Sequence, residues 1–225
     1  MKMKRYKITD EISGRSCVTV EAANEASALK KYRKGLMSSG FYELVTEKDG
    51  RPRLVSSFGS CFRADRKTAV FIDGDLVENA DIGIFCHQTN CFGKMGAGIA
   101  RQIAAKYRAV AEKDREYCRT GNVLGTILCV PTGDGRTCVN MYAQYGYGTD
   151  QRQTDYFAFD CCLQELEKYL QTVPESTGIG FPDHIGCGLA GGDWDTVLPM
   201  LEQFASRVSQ PVYIVRYVPE RGRER

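Results

Sequence analysis

The chain has 225 residues, 43% of them hydrophobic and 26% charged, with a formal net charge of +2. That is enough apolar side chain for a substantial core, and too even a charge balance to point to nucleic acid as a partner. No apolar run approaches the length of a membrane span and no secretory leader pattern opens the chain, so a cytoplasmic protein away from membranes is expected. Ten cysteines occur, none in a Cys-x-x-Cys pair, beside only two histidines, His87 and His184. Neither a metal site nor any other cofactor is expected from that set, and cysteines inside apolar runs behave as small hydrophobes in a reducing compartment.

Residues 1–64 carry 13 Lys and Arg against 7 Asp and Glu, while the remainder carries 17 against 21. A solvated basic face on a small unit accounts for that excess. Tyr6-Lys7-Ile8 and Cys17-Val18-Thr19-Val20 read as strands around a turn at Ser13-Gly14. A helix follows from Asn24, its N-cap, to Leu36, with Ala26, Leu29 and Tyr32 on one face and Gly35 or Gly40 as the stop. Leu44-Val45 then pairs with Arg53-Leu54-Val55 across Asp49-Gly50. Residues 1–64 thus form a small α+β appendage without a motif tied to chemistry.

From Lys67 onward strands and helices alternate. Ala69-Val70-Phe71-Ile72 and Ile82-Gly83-Ile84-Phe85-Cys86 are nearly continuous apolar runs, the mark of strands covered on both faces. Ile99, Ile103, Tyr107 and Val110 fall at helical spacing. Thr126 to Val130 and Cys138 to Tyr142 supply two more strands, and a helix from Thr154 presents Phe159, Leu163, Leu166 and Leu170. Ile179 to Pro182 is a further strand, followed by a helix with Val197, Leu201, Phe204 and Val208 and a last strand at Val212 to Val215. The alternation predicts a three-layer α/β/α sandwich whose ligands sit at the carboxyl ends of its strands.

Two glycine-bearing loops join buried strands to helices. The first runs from His87 to Gly98 and holds Gly93, Gly96 and Gly98; the second runs from Gly186 to Trp194. Bare backbone N–H groups at a helix start suit an anion, phosphate above all, and two such loops can grip a diphosphate from both sides. Neither is the dinucleotide fingerprint nor a P-loop. Because proline fits the first turn of a helix, Pro199 predicts a helix starting near Asp195 or Thr196, capped by one of them, with Asp193 and Trp194 left in the loop.

Gly74-Asp75-Leu76 after a strand, His87-Gln88-Thr89-Asn90-Cys91 with Met95-Gly96-Ala97-Gly98-Ile99-Ala100, and Gly186 to Trp194 together resemble a macro domain. The branch is the one related to yeast ADP-ribose 1''-phosphate phosphatase and terminal ADP-ribose protein glycohydrolase. The resemblance covers residues 67–219 and leaves 1–64 outside it. It implies the macro-domain sandwich with a mixed sheet, and ADP-ribose or a derivative as the ligand, with an ADP-ribosylated protein as a further candidate partner. Asp75 would then accept from the adenine amino group, with Leu76 beside it, and Asn90 would hold the distal ribose. Gly96, Ala97, Gly98 and Ile99 would line one side of the diphosphate. Gly186, Cys187, Gly188, Leu189 and Ala190 would line the other, with Tyr145 or Tyr147 over the sugar. Asp75 as a turn carboxylate and Asn90 as a loop side chain bonding its own backbone stand as the plainer alternatives.

Side chains that relatives use in catalysis are replaced here: Ala100 and Ala190 stand where acids are expected, and Thr132 near the place of a lysine. His87, Asn90 and Asp193 remain as candidate catalytic residues, with Lys94 as a charge for a transferring phosphoryl group. Hydrolysis of an ADP-ribose derivative, with the 1''-phosphate ahead of a protein-linked ADP-ribose, is the expected activity. A reader module that binds ADP-ribose without chemistry is the alternative.

Overall fold

The computed structural model describes residues 4–11, 16–35, 42–56, 61–66 and 68–219. It divides into two compact units, Met1–Thr68 and Ala69–Arg225. In the first unit an antiparallel sheet is ordered β2-β1-β5-β4-β3, from β1 (Lys4–Asp10), β2 (Ser16–Ala22), β3 (Tyr42–Thr46), β4 (Pro52–Ser56) and β5 (Cys61–Arg66). Helix α1 (Glu25–Gly35) is capped by Asn24, whose Oδ1 accepts from Ser27 N–H at 2.8 Å. Its Ala28 and Leu29 close a small core with Tyr6, Ile8, Ala22 and Leu54. Asp49-Gly50 makes the expected hairpin, with Gly50 at φ 77°. The expected turn at Ser13-Gly14, the helix end at Leu36 and the stop at Gly40 lie outside the described residues. Strand β5 has no counterpart in the sequence reading, because its charged residues show no apolar period.

The second unit is a six-stranded sheet ordered β6-β11-β10-β7-β9-β8. Strands β6 (Val70–Gly74), β7 (Ile84–Asn90), β9 (Thr137–Gln144), β10 (Ile179–Pro182) and β11 (Val212–Tyr217) run parallel, and β8 (Ile127–Pro131) is the antiparallel edge. Helices α4 (Tyr156–Leu170) and α5 (Trp194–Arg207) bury Phe159, Leu163, Val197 and Phe204 on one face of the sheet. Helices α2 (Gly98–Lys106) and α3 (Arg108–Cys118) bury Ile103 and Val110 on the other. The apolar runs follow from that burial: Ile84 and Cys86 meet the α4/α5 layer while Phe85 between them meets the α2/α3 layer.

Three boundaries differ from expectation. The Ile99 to Val110 period is broken at Tyr107 (φ −121°, ψ 79°), which separates α2 from α3. Strand β7 continues through His87 to Asn90, so the first glycine loop opens only at Cys91. Helix α5 begins at Trp194 and is capped by Asp193, not by Asp195 or Thr196. Asp193 Oδ1 accepts from Asp195 N–H at 3.2 Å and its Oδ2 from the Thr196 hydroxyl at 2.8 Å. Pro199 therefore sits inside the helix, where it removes a bond to the carbonyl of the exposed Asp195.

Candidate functional site

A cavity of about 810 Å³ opens at the carboxyl ends of β7, β9 and β10. Asn90, Lys94 and Gly96 to Ala100 line one wall, and Pro182 to Gly186 with Gly188, Leu189 and Ala190 the other. Gln88, Thr89 and Gln144 from the strands and Tyr147 to Thr149 from the β9–α4 connection complete it.

Asn90 shapes the first wall from within. Its Nδ2 donates to the Lys94 carbonyl at 2.8 Å, and its Oδ1 accepts from Phe92 N–H at 3.0 Å and Lys94 N–H at 3.2 Å. The loop-bonding alternative is thus what the side chain does in this structure, although Asn90 still lines the cavity. Gly93 in that loop has φ 66°, and a Cβ would come within 3.1 Å of the Arg115 backbone. The loop delivers Ala97 as the N-cap of α2, and alanine supplies no side-chain acceptor to the helix. The first N–H groups of α2 are therefore left to whatever enters the cavity. Asn90→Ala removes all three loop bonds, and any affinity of this cavity for ADP-ribose, the ligand the resemblance implies, is expected to fall by about 100-fold in calorimetry. An affinity within about twofold of wild type would overturn that account of the wall.

The second wall is a backbone nest. Cys187 N–H bonds His184 O, Gly191 N–H bonds Gly188 O and Gly192 N–H bonds Gly186 O, which curls the loop on itself. The N–H groups of Gly188, Leu189 and Ala190 take no partner among the described residues. Thr154 ties the loop to the sheet: its hydroxyl donates to Gly186 O at 2.6 Å and accepts from Gln88 Nε2 at 2.8 Å. Two sets of unclaimed backbone donors thus face one cavity, an arrangement suited to an anion with more than one phosphate.

The other expected residues fall elsewhere. His87 shares its strand face with Phe85 and is fully buried. Its Nε2 lies 2.8 Å from Asn140 Oδ1 and its Nδ1 3.2 Å from Gln88 O, and Asn140 in turn donates to the buried Asp114. The imidazole is enclosed in that network and does not line the cavity. Asp193 does not line the cavity either, because its carboxylate is committed to capping α5. Leu76 is a core residue, 4% exposed, and Asp75 accepts from Val77 N–H at 2.8 Å in a turn outside the cavity lining, at the same sheet edge. Tyr145 lies beyond the cavity, against Phe92, and Tyr147 takes the lining position. Cys187 also stays outside the lining; burial first, then Asp193 and Asp183, push its thiol up to about 11, so no thiolate forms near neutral pH.

Burial lowers the His87 pKa from the ordinary 6.5, despite opposing pulls from Asn140 and Asp114. The unfolded imidazole then binds a proton that the folded one refuses. Stability from this group is therefore complete above the unfolded pKa and declines as pH falls below it. His87→Gln does not titrate, so its melting temperature is expected to fall less than that of wild type between about pH 7.5 and about pH 5. Equal losses in the two proteins would contradict this.

Gln88, Thr89, Gln144, Asp183 and His184 line the cavity without having been singled out in the sequence. Gln88, Thr89 and Gln144 are the ends of parallel strands, a place the Asn90 motif indicated but no residue type marked. Pro182-Asp183-His184 reads as an ordinary strand exit.

Sheet order, two glycine-bearing walls and an opening at the carboxyl edge of parallel strands define an α/β sandwich with one cavity at its strand ends. An uncharacterised 17.5 kDa protein from the tk–vs intergenic region of Enterobacteria phage T4 is 30% identical over 156 residues, covering 66% of this chain and 96% of that protein. ADP-ribose 1''-phosphate phosphatase of Debaryomyces hansenii is 25% identical over 176 residues, covering 64% of this chain and 98% of the enzyme. The macrodomain of Mycobacterium tuberculosis DarG superposes with a TM-score of 0.58 at 23% identity, over 68% of this chain and 98% of that domain. No protein-family model matches the chain. The second unit has the macrodomain fold.

Proposed function

We propose that this protein binds ADP-ribose or a derivative of it in the cavity between the two glycine-bearing walls. The observation that carries the reading is the pair of unclaimed donor sets, the start of α2 and the N–H groups of Gly188, Leu189 and Ala190, on walls of one cavity. A diphosphate between them is held by backbone alone, at a helix N-terminus that favours negative charge. The adenine end extends toward Asp75 at the end of β6, and the distal ribose toward Asn90 and Tyr147. Calorimetry with ADP-ribose, AMP and ribose 5-phosphate tests this. ADP-ribose is expected to bind at least about tenfold more tightly than either fragment, because only it engages both walls and both ends. Equal affinities for all three would overturn the reading.

A second reading, removal of a 1''-phosphate, has its support in Lys94 and in the name of the Debaryomyces hansenii relative. Lys94 is an exposed cation that lines the cavity beside Asn90, with no carboxylate within ion-pair distance among the described residues. In such a reaction water attacks phosphorus, the bond from phosphorus to the 1'' oxygen breaks, and ADP-ribose and inorganic phosphate leave. Lys94 stabilises the charge that gathers on the transferring group. Phosphate release from ADP-ribose 1''-phosphate that falls by about 100-fold in Lys94→Ala is the expected result. Tight binding without phosphate release assigns the protein to the readers instead.

A further inference from the structure

Four buried side-chain oxygens among the described residues have no hydrogen-bond partner: Gln88 Oε1, Thr89 Oγ1, Asp183 Oδ1 and Asp114 Oδ2. All but that of Asp114 belong to residues lining the cavity. Unsatisfied buried polar atoms are costly. Asp183 is the anionic member of the group. Its N–H donates to Val215 O at 2.9 Å, extending the β10–β11 ladder by a residue and fixing it to the sheet. Its Oδ1 lies 3.1 Å from His184 Nδ1 without a hydrogen bond between them. His184 has φ 56°, a backbone region uncommon for a residue with a side chain, and its ring stacks on Trp194 at 4.7 Å and 21°. A strained backbone pinned by a stacked ring holds the imidazole beside the carboxylate.

Strand order sets what Asp183 meets. From β6, which ends one residue before Asp75, to β10, which ends one residue before Asp183, the sheet crosses only β11, a step of about 10 Å. The diphosphate wall begins three residues after Asp183, at Gly186. A base beside Asp75 and a diphosphate at Gly186 to Ala190 leave the nucleoside sugar over the end of β10.

We propose that the Asp183 carboxylate accepts hydrogen bonds from the hydroxyl pair of the ligand's nucleoside ribose, with His184 as its positioning residue, so that this edge of the cavity selects ribonucleosides over 2'-deoxyribonucleosides. The inference rests on the ADP-ribose reading above. A carboxylate accepts only and ribose hydroxyls can donate to it, the use an acidic residue has on ribose in dinucleotide folds.

The test is calorimetry on the full chain with three probes: ADP-ribose, its analogue lacking the adenosine 2'-hydroxyl, and its hypoxanthine analogue. Wild type is expected to prefer ADP-ribose to the deoxy analogue by about tenfold. Asp183→Ala is expected to weaken ADP-ribose by a similar factor and to leave the deoxy analogue within about twofold, so that the preference vanishes. Asp183→Asn, which keeps the shape and one acceptor, is expected to retain part of it, and a normal melting curve for this variant excludes misfolding as the cause. His184→Ala is expected to shrink the ribo-over-deoxy ratio without abolishing binding. A preference that persists in Asp183→Ala overturns the proposal, as does a change only in adenine-over-hypoxanthine preference. Wild type that binds ADP-ribose without the 2'-hydroxyl preference overturns this inference alone; wild type that binds none of the probes overturns the function proposed above as well.

Discussion

Gly186→Ala is expected to abolish ADP-ribose binding, with an affinity loss of about 100-fold or more and a melting temperature lower by several degrees. Gly186 has φ 73°, where a side chain meets its own carbonyl, so the substitution is strained before any neighbour is counted. A Cβ there would also come within 3.1 Å of Gln88 Cδ and of Thr154 Oγ1, and closer to Gln88 Oε1. Those side chains form the brace that sets the loop against β7, so relief comes by shifting the loop and, with it, the N–H groups of Gly188, Leu189 and Ala190. A displacement of about 1 Å is enough to spoil donors aimed at one anion. Gly188→Ala is the control, because no atom lies within 4 Å of a Cβ there and φ is not in the left-handed region. It is expected to melt like wild type. Calorimetry and thermal melts on both variants decide the matter: if Gly186→Ala binds normally, the nest geometry is not what holds the ligand.

Arg136→Ala carries the largest expected effect on stability, roughly 3–5 kcal/mol, seen as a melting temperature lower by about 10 °C. Arg136 is 6% exposed. Its guanidinium donates to Ile82 O, Val77 O and Leu76 O, each at 2.8 Å, and its Cζ lies 4.4 Å over the Phe85 ring. Truncation strands those buried carbonyls without donors. Lysine at this position presents one compact cation in place of a planar fork and is expected to recover only part of the loss. The segment so held follows Asp75 directly, and ADP-ribose affinity is therefore expected to drop in the same variants. A melting temperature within about 2 °C of wild type in Arg136→Ala would show that the carbonyls find other partners.

Local pattern was a sound guide wherever burial is symmetrical. The runs at Ile82 to Cys86 and Ile179 to Pro182 are apolar because helices cover both faces of the sheet, and such strands are recognisable from composition. The same pattern misplaced the end of β7, since His87, Gln88, Thr89 and Asn90 are polar and yet remain in the ladder with β9. The imidazole of His87 and the amide nitrogen of Gln88 are met by Asn140, Gln144 and Thr154, residues 53 to 66 positions away in the chain. Pro199 misled for a related reason. Proline marks a first turn when local hydrogen bonding decides, but Val197, Leu201 and Phe204 pack α5 firmly enough to carry a missing bond inside the helix.

The sequence by itself determined the α/β alternation and the two glycine-bearing loops, because glycine freedom and strand–helix alternation are written in residue type and spacing. Which side chains face the cavity was decided by tertiary structure. A strand residue points to one face or the other according to register, and a carboxylate is a cap or a ligand according to where the helix begins. His87 lies in the core and Asp193 caps α5. Asp183 and His184 were brought to the rim by the β10–β11 ladder and by the stack on Trp194. Contacts of that kind join residues distant in sequence, and no local pattern carries them.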